Sequence, residues 1–191
     1  MEIKIMKIFI DFDCTIADSV KAYCNVYNSF YKDHKGFKKA DHSRVNRYDL
    51  MDQCGLVDHQ ETIFSHEELF KHLEFMPHAE EIIEKLASKY ELVICSIGTL
   101  DNISLKAKWI KNHLPFIKNV IFISSAVATN GIRMDKSSVN MDNAIFIDDH
   151  VENLLSSNAE FKICFGKEYE WNKSWTERRC LNWQEVEKLL L

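Results

Sequence analysis

The chain has 191 residues, of which 46% are hydrophobic and 12% aromatic, with only 5 glycines and 2 prolines. This composition excludes a long disordered tail and predicts one domain with a modest insertion. The formal net charge of −5 argues against a polyanionic partner such as duplex DNA, so we expect no stable nucleic-acid partner.

The cysteines and the apolar stretches indicate the compartment. The six cysteines are scattered and lack the close pairs that mark zinc or dithiol sites. No stretch approaches the ~18 apolar residues of a membrane span, and the lysines in the opening apolar run are atypical of a secretion signal. We therefore expect a soluble, cytoplasmic protein with reduced thiols. The sequence leaves open whether it forms a homodimer.

Five short runs rich in Ile, Val and Phe predict the strands of a sheet, at 5–10, 92–95, 120–123, 144–147 and 161–165. The runs are continuous rather than alternating, which is typical of strands covered on both faces. Segments of helical periodicity lie between them. The sequence therefore predicts an α/β fold with a doubly wound, mostly parallel, Rossmann-like sheet.

A long interval, residues 16–76, separates the first strand from the next predicted helix. It contains a predicted helix at 19–32, a basic region at 32–47 and a helical segment at 66–72. We interpret 16–76 as a small helical cap inserted after the first strand, and residues 1–15 and 77–191 as the core. A few extra packing helices are the alternative interpretation.

Two helices are predicted after this interval. Residues 79–89 have Ile82, Ile83 and Leu86 on one side. Residues 101–114 have Ile103, Ala107 and Ile110 on one side, and Asp101 is the predicted N-cap.

The first strand runs into two aspartates, Asp11 and Asp13. Side chains two residues apart on extended backbone point to the same side, so two carboxylates converge where the strand ends. Such an arrangement is costly unless a cation or a shared proton offsets the repulsion. The alternative is an Asp-rich turn, since Asp is common after strands.

The fourth strand likewise runs into Asp148 and Asp149. In a parallel sheet both strands deliver their acids to the same edge, and an oxygen-only cluster suits Mg²⁺. We interpret the neighbouring His150 as a loop residue rather than a ligand.

Two further polar residues are expected at this edge. Ser96 ends the second strand, and Lys136 lies in the loop before the fourth. A hydroxyl and an ammonium beside an acidic metal site suit the oxygens of a phosphoryl group.

Taken in order, these motifs resemble those of the haloacid dehalogenase superfamily of phosphatases: Asp11-x-Asp13-x-Thr15, then Ser96, then Lys136, then Asp148-Asp149. The chain is also similar to the 5′(3′)-deoxyribonucleotidases and their bacterial relatives. That finer resemblance rests on residues 67–73, 76–79, 108–110, 147–149 and 179–183.

The resemblance implies roles for the motif residues. Asp11 would attack phosphorus and form an aspartyl-phosphate, while Asp13 would protonate the leaving oxygen and then activate water. Mg²⁺ would be held by Asp11, the backbone carbonyl of Asp13 and a motif-four aspartate. Asp149 is favoured as that ligand, with Asp148 nearby. Ser96 and Lys136 would hold the phosphoryl group.

The resemblance also implies a small phosphate-ester substrate, a nucleoside monophosphate above all. The predicted substrate-binding residues are Phe70, helped by Phe64, and Ile97. Two departures from the family pattern stand out: Cys14 replaces the usual Gly, and residues 15–75 contain no Trp.

Three alternatives stay open. The substrate is a phosphosugar or other small ester, the chain is a non-catalytic binding module, or the basic region 32–47 serves nucleic-acid end processing.

Overall fold

The computed structural model describes residues 6–126 and 134–191. These residues form a six-stranded, entirely parallel sheet in the order β3-β2-β1-β4-β5-β6. The strands are β1 (Lys7–Ile10), β2 (Glu91–Gly98), β3 (Asn119–Ser124), β4 (Ala144–Asp148), β5 (Phe161–Phe165) and β6 (Arg179–Cys180). The predicted doubly wound, Rossmann-like fold is confirmed. The sequence did not reveal β6, because a two-residue strand leaves no apolar run.

Seven helices accompany the sheet in the described part of the chain. They are α1 (Ser19–Tyr31), α2 (Glu61–Phe64), α3 (Glu67–Lys71), α4 (Ala79–Ala87), α5 (Leu100–His113), α6 (Val151–Ser156) and α7 (Trp183–Leu190). Short 3₁₀ turns occur at His42–Arg44 and Lys136–Ser138. Among these residues, no helix has both the length and the apolar composition that crossing a membrane requires.

Both faces of the sheet are covered, which explains the unbroken apolar runs. Ile8 and Ile10 of β1 belong to the larger core cluster, which includes buried residues of α1, α4 and α7. Phe9, between them, belongs to a second cluster that includes Leu154 of α6. As predicted, α4 buries Ile82, Ile83 and Leu86.

Helix α5 differs from its prediction. Its N-cap is Thr99 rather than Asp101, with the Thr99 hydroxyl accepting from the backbone N–H of Asn102 at 3.2 Å. The predicted apolar face is only partly right, because Ile110 is buried and Ile103 half-buried but Ala107 is exposed. The buried side chains are Asn102, Lys106, Trp109 and Ile110. Two of them are polar, so hydrophobic periodicity alone could not identify this face.

The segment between β1 and α4 begins and ends at the same place in the fold. The Met76 backbone N–H donates to the Ile16 carbonyl at 2.8 Å, and the Asp18 N–H donates to the Glu74 carbonyl at 2.9 Å. The two ends of the segment are therefore hydrogen-bonded to each other. This is the arrangement that an insertion needs if it is not to disturb the sheet.

The same segment is joined to the sheet's loops at two further places. At one, Asn102 Nδ2 donates to the Phe64 carbonyl at 2.7 Å, and the Ser65 and Thr99 hydroxyls lie 2.8 Å apart. At the other, the Glu170 N–H donates to the Asn46 carbonyl at 3.3 Å. Helix α2 and the loop around Asn46 are thereby held above the carboxyl ends of the strands.

The C-terminal helix α7 is anchored beneath the loop that follows β1. Trp183 is fully buried, and its Nε1–H donates to the Thr15 carbonyl at 2.8 Å. This hydrogen bond joins the end of the chain to the first motif.

Candidate active site

The predicted acidic residues meet at the carboxyl edge of the two central strands. The Asp11 backbone N–H donates to the Ile147 carbonyl at 2.9 Å, which extends the pairing of β1 with β4 by one residue. Asp11 therefore lies beside Asp148. One carboxylate oxygen each from Asp11, Asp148 and Asp149 fall within 4.8 Å of one another, and all three residues are buried.

Lys136 lies between two of these carboxylates. Its ammonium contacts Asp11 and lies 2.5 Å from Asp148 Oδ2, and the lysine is fully buried. Burial would lower the pKa of Lys136, but the two carboxylates outweigh burial and raise it well above its usual range. Lys136 therefore carries a permanent positive charge at this position.

One ammonium does not balance the three carboxylates. Burial, together with the charges of Asp148 and Asp13, raises the pKa of Asp11 to about 7 although Lys136 opposes the shift. Burial and the charges of Asp148 and Asp11 also raise the pKa of Asp149 well above its ordinary value. A group of buried carboxyls with this charge excess and oxygen-only donors fits a hard divalent cation, whose charge would restore the ionised forms.

The two adjacent aspartates differ in the bonds they already make. The Asp148 carboxylate accepts from the His150 N–H at 2.8 Å and from Asn153 Nδ2 at 3.1 Å, in addition to Lys136. Asp149 accepts at Oδ2 from the Trp171 Nε1–H at 2.9 Å, and its second oxygen accepts no hydrogen bond from the described residues. Asp149 is thus the better equipped of the two to bind a cation.

Asp13 belongs to a separate charged pair. Its carboxylate accepts from the Ser19 hydroxyl at 2.6 Å and contacts Lys106, and it is not part of the three-carboxylate cluster. Lys106 also donates to Ser96 Oγ at 2.9 Å and to the Ile97 carbonyl at 3.1 Å. This buried ammonium holds the second aspartate to the end of β2.

Sequence reasoning missed Lys106. The available signal was its spacing, since Asn102 and Lys106 are four residues apart on the helix that follows Ser96 and so share a face. Ser96, predicted to face the phosphoryl group, is fully buried behind Lys106 and does not line the cavity in the described part of the chain. Its hydroxyl instead accepts from the Lys106 ammonium.

A cavity of about 690 Å³ opens in front of these groups. Its charged lining consists of Asp11, Asp13, Lys106, Lys136 and Asp149. Other residues that line it include Tyr48, Leu50, Gln60, Phe64 and Ile97. Of the three predicted substrate-binding residues, Ile97 and Phe64 lie in this wall. Phe70 does not lie among the described residues that line it.

Two other features of the sequence are the basic region 32–47 and Cys14. None of the basic side chains of 32–47 lines the cavity, in the region that the structure describes. Cys14 has a φ of 56°, a left-handed backbone conformation that glycine adopts without strain and that costs other residues about 1–2 kcal/mol. Burial raises the pKa of the Cys14 thiol well above its ordinary value, so the thiol stays neutral.

Solved structures share this fold over nearly the whole chain. A predicted phosphatase from Clostridium acetobutylicum matches with a TM-score of 0.66 at 16% identity, covering 97% of both chains. A hydrolase of the haloacid dehalogenase superfamily, subfamily IA, from Geobacter sulfurreducens matches at 0.62 and 14% identity, covering 98% of this chain and 97% of that one. A haloacid dehalogenase-like hydrolase from Streptococcus pneumoniae matches at 0.63 and 16%, covering 98% and 99%. At these identities the likeness concerns the fold.

The fold, with two aspartates after the central strand and two more after its neighbour, defines a phosphatase of the haloacid dehalogenase class. The chain belongs to the family described as "5′ nucleotidase, deoxy (Pyrimidine), cytosolic type C", whose model matches residues 4–191. The comparison with curated proteins finds no match. Phosphatases of this class generally use a divalent metal, and the cluster of Asp11, Asp148 and Asp149 could bind one.

Proposed function

We propose that this phosphatase hydrolyses nucleoside monophosphates, deoxyribonucleotides above all, in a Mg²⁺-dependent reaction with Asp11 as nucleophile. The observation that carries the proposal is the position of Asp11. It ends the central strand, contacts the buried Lys136 ammonium, shares an acidic cluster with Asp149, and faces the cavity. Membership of a deoxynucleotidase family supports the substrate.

In the proposed first step, a carboxylate oxygen of Asp11 attacks phosphorus and the bond from phosphorus to the ester oxygen breaks. Asp13 gives its proton to the departing oxygen. Mg²⁺, held by Asp11, Asp149 and the Asp13 backbone carbonyl, would neutralise the charge of the nucleophile and the phosphate. Lys136 stays hydrogen-bonded to Asp11 and holds its carboxylate in line with the bond from phosphorus to the ester oxygen.

In the second step, water attacks the aspartyl-phosphate and Asp13 takes the proton from that water. The bond between Asp11 and phosphorus breaks, which releases inorganic phosphate and regenerates the carboxylate. Lys106 contacts Asp13 throughout, so we assign it the role of holding this acid–base group against Ser96. Ser96 then acts on the reaction through Lys106.

We also propose that residues 16–76 form a cap over a core of residues 1–15 and 77–191. The hydrogen bonds that join the two ends of this segment support these boundaries. Its Tyr48, Leu50 and Phe64 line the cavity opposite the carboxylates, where the leaving group would lie. The cavity volume falls in the range of small-molecule sites, and Phe64 supplies an aromatic face on which a base could stack.

A cytoplasmic location fits the same proposal. The family description includes the word cytosolic, and all six cysteines are free. A nucleotide pool inside the cell would then be the source of substrate.

The deciding experiment is a phosphate-release assay with Mg²⁺ over deoxyribonucleoside and ribonucleoside 5′- and 3′-monophosphates, beside a panel of sugar phosphates. We expect the highest kcat/KM for a deoxyribonucleoside monophosphate. A higher kcat/KM for a sugar phosphate would replace the nucleotide with the phosphosugar alternative. No release from any ester would contradict the assigned mechanism as a whole.

A further inference from the structure

One tryptophan connects the acidic cluster to the segment above it. Trp171 lies in the loop between β5 and β6 and is only 8% exposed. Its Nε1–H donates to Asp149 Oδ2 at 2.9 Å. The next residue, Asn172, donates from Nδ2 to the Asp149 backbone carbonyl at 3.0 Å. The loop therefore donates hydrogen bonds to both the carboxylate and the main chain of Asp149.

The indole also packs against other aromatic rings. Tyr169 stacks on Trp171 with ring centroids 4.1 Å apart and planes inclined by 8°. Tyr48, from the segment 16–76, meets Trp171 edge-on at 6.1 Å and His150 edge-on at 4.7 Å. Because the Glu170 N–H also donates to the Asn46 carbonyl, the loop that holds Asp149 is a surface on which this segment rests.

We propose that Trp171 is a positioning residue that fixes the Asp149 carboxylate for a divalent cation and couples cation binding to the docking of the segment around Tyr48. The proposal rests on the metal site of the proposed function. With Oδ2 held by a neutral N–H donor, the carboxylate loses its rotational freedom, and its other oxygen is left to bind a cation. Outer partners of metal ligands act in this way, and removing one typically weakens metal affinity ~10–100-fold.

The coupling follows from the same contacts. A cation that orders Asp149 also orders the indole bonded to it, and therefore the surface against which Tyr48 packs. Linkage between two binding events is reciprocal. A docked segment around Tyr48 accordingly favours the bound cation to the same extent that the cation favours docking.

The test compares two tryptophan substitutions. Trp171→Phe keeps an aromatic ring to stack on Tyr169 but removes the N–H donor. Trp175→Phe is the matched control, since Trp175 is also 8% exposed and donates its Nε1–H at 2.9 Å, but to the Arg178 carbonyl. Isothermal titration calorimetry with MgCl₂, without substrate, should give a Kd ~10–100-fold weaker for Trp171→Phe and an unchanged Kd for Trp175→Phe.

Hydrogen exchange measures the second half of the proposal. Mg²⁺ should slow amide exchange across residues 43–50 in the wild type and in Trp175→Phe, but not in Trp171→Phe. Equal slowing in all three proteins, or none in the wild type, would overturn the coupling. An unchanged Mg²⁺ affinity in Trp171→Phe, an equal loss in Trp175→Phe, or no Mg²⁺ binding by the wild type would overturn the positioning role.

A further measurement covers failure of Trp171→Phe to fold. Trp171 is still present in Trp175→Phe, so the tryptophan fluorescence of that variant should change saturably as MgCl₂ is added. An unchanging emission spectrum would contradict the contact between Trp171 and the cation ligand. None of these measurements uses a nucleotide, so a failed substrate screen with intact Mg²⁺ binding would sink the substrate and leave the role of Trp171 standing.

Discussion

The two walls of the cavity differ in the chemistry of the side chains that line them. On the sheet side, Asp11, Asp148 and Lys136 are buried charges, and Lys136 contacts both of the carboxylates that β1 and β4 position. On the facing side, Tyr48, Leu50 and Phe64 present mainly apolar surface from short helices and loops. A buried charge without its partner costs several kcal/mol, so the first wall tolerates little change. The second can change shape at small cost, which fits its proposed role of selecting the leaving group.

The largest effect is expected from the sheet side. Asp11→Asn should lower phosphate release by ~10⁴-fold or more, since the amide oxygen cannot form the acyl-phosphate and loss of a nucleophile removes the whole pathway. The melting temperature should stay near that of the wild type. Asp142→Asn, an exposed aspartate just before β4, is the control. Wild-type turnover by Asp11→Asn would disprove the nucleophile assignment.

Removal of divalent cations should abolish activity through the same carboxylates without any substitution. Burial and neighbouring carboxylates raise the pKa values of Asp11 and Asp149, so a bound cation would favour the ionised form of both groups. Phosphate release after chelation should fall to background and return when MgCl₂ is added in excess. Undiminished activity in chelator would remove Mg²⁺ from the mechanism.

A smaller loss is expected at the second charged pair. Lys106→Met keeps the length of the side chain but leaves Asp13 without its ammonium partner, so kcat should fall ~10²–10³-fold, as expected when a general acid–base group is misplaced. Lys108→Met, two residues further along α5 and exposed, should leave kcat unchanged. Steady-state kinetics on both variants separates the two. Equal values of kcat in Lys106→Met and the wild type would remove Lys106 from the site.

The smallest effect is expected on the facing wall. Phe64→Ala should raise KM for a nucleoside monophosphate ~10-fold, the scale of one lost base–aromatic stack, with little change in kcat. Phe70→Ala should lower the melting temperature and leave KM unchanged, because Phe70 packs against the core and is not among the described residues that line the cavity. If Phe70→Ala raises KM and Phe64→Ala does not, the stacking role belongs to Phe70 as first predicted.

The difference between the walls also explains what the sequence could reveal. Strand β5 has the bounds that its apolar run predicts, and the acids after β1 and β4 meet because parallel strands end at the same edge. Lys106 escaped notice because a buried lysine interrupts the apolar period that identifies a helix face. Its burial depends on Asp13, 93 residues away in the sequence.

The facing wall was harder to predict for a related reason. Phe64 and Phe70 have the same chemistry and lie in neighbouring short helices, α2 and α3. Which ring faces the cavity depends on how these helices are held, and Asn102 and Thr99 of the α5 region decide that through contacts with Phe64 and Ser65. Such contacts between distant segments leave no periodic pattern.

The hydrogen bond from Trp183 to Thr15 has a consequence for how the enzyme comes into being. Its two partners are 168 residues apart, and Thr15 directly follows the loop that carries Asp11 and Asp13. During synthesis the loop with the proposed nucleophile therefore emerges well before the tryptophan that supports it. Catalytic competence should therefore appear as a late event in folding, and recovery of activity after denaturation would report the docking of α7 rather than the formation of the first strands alone.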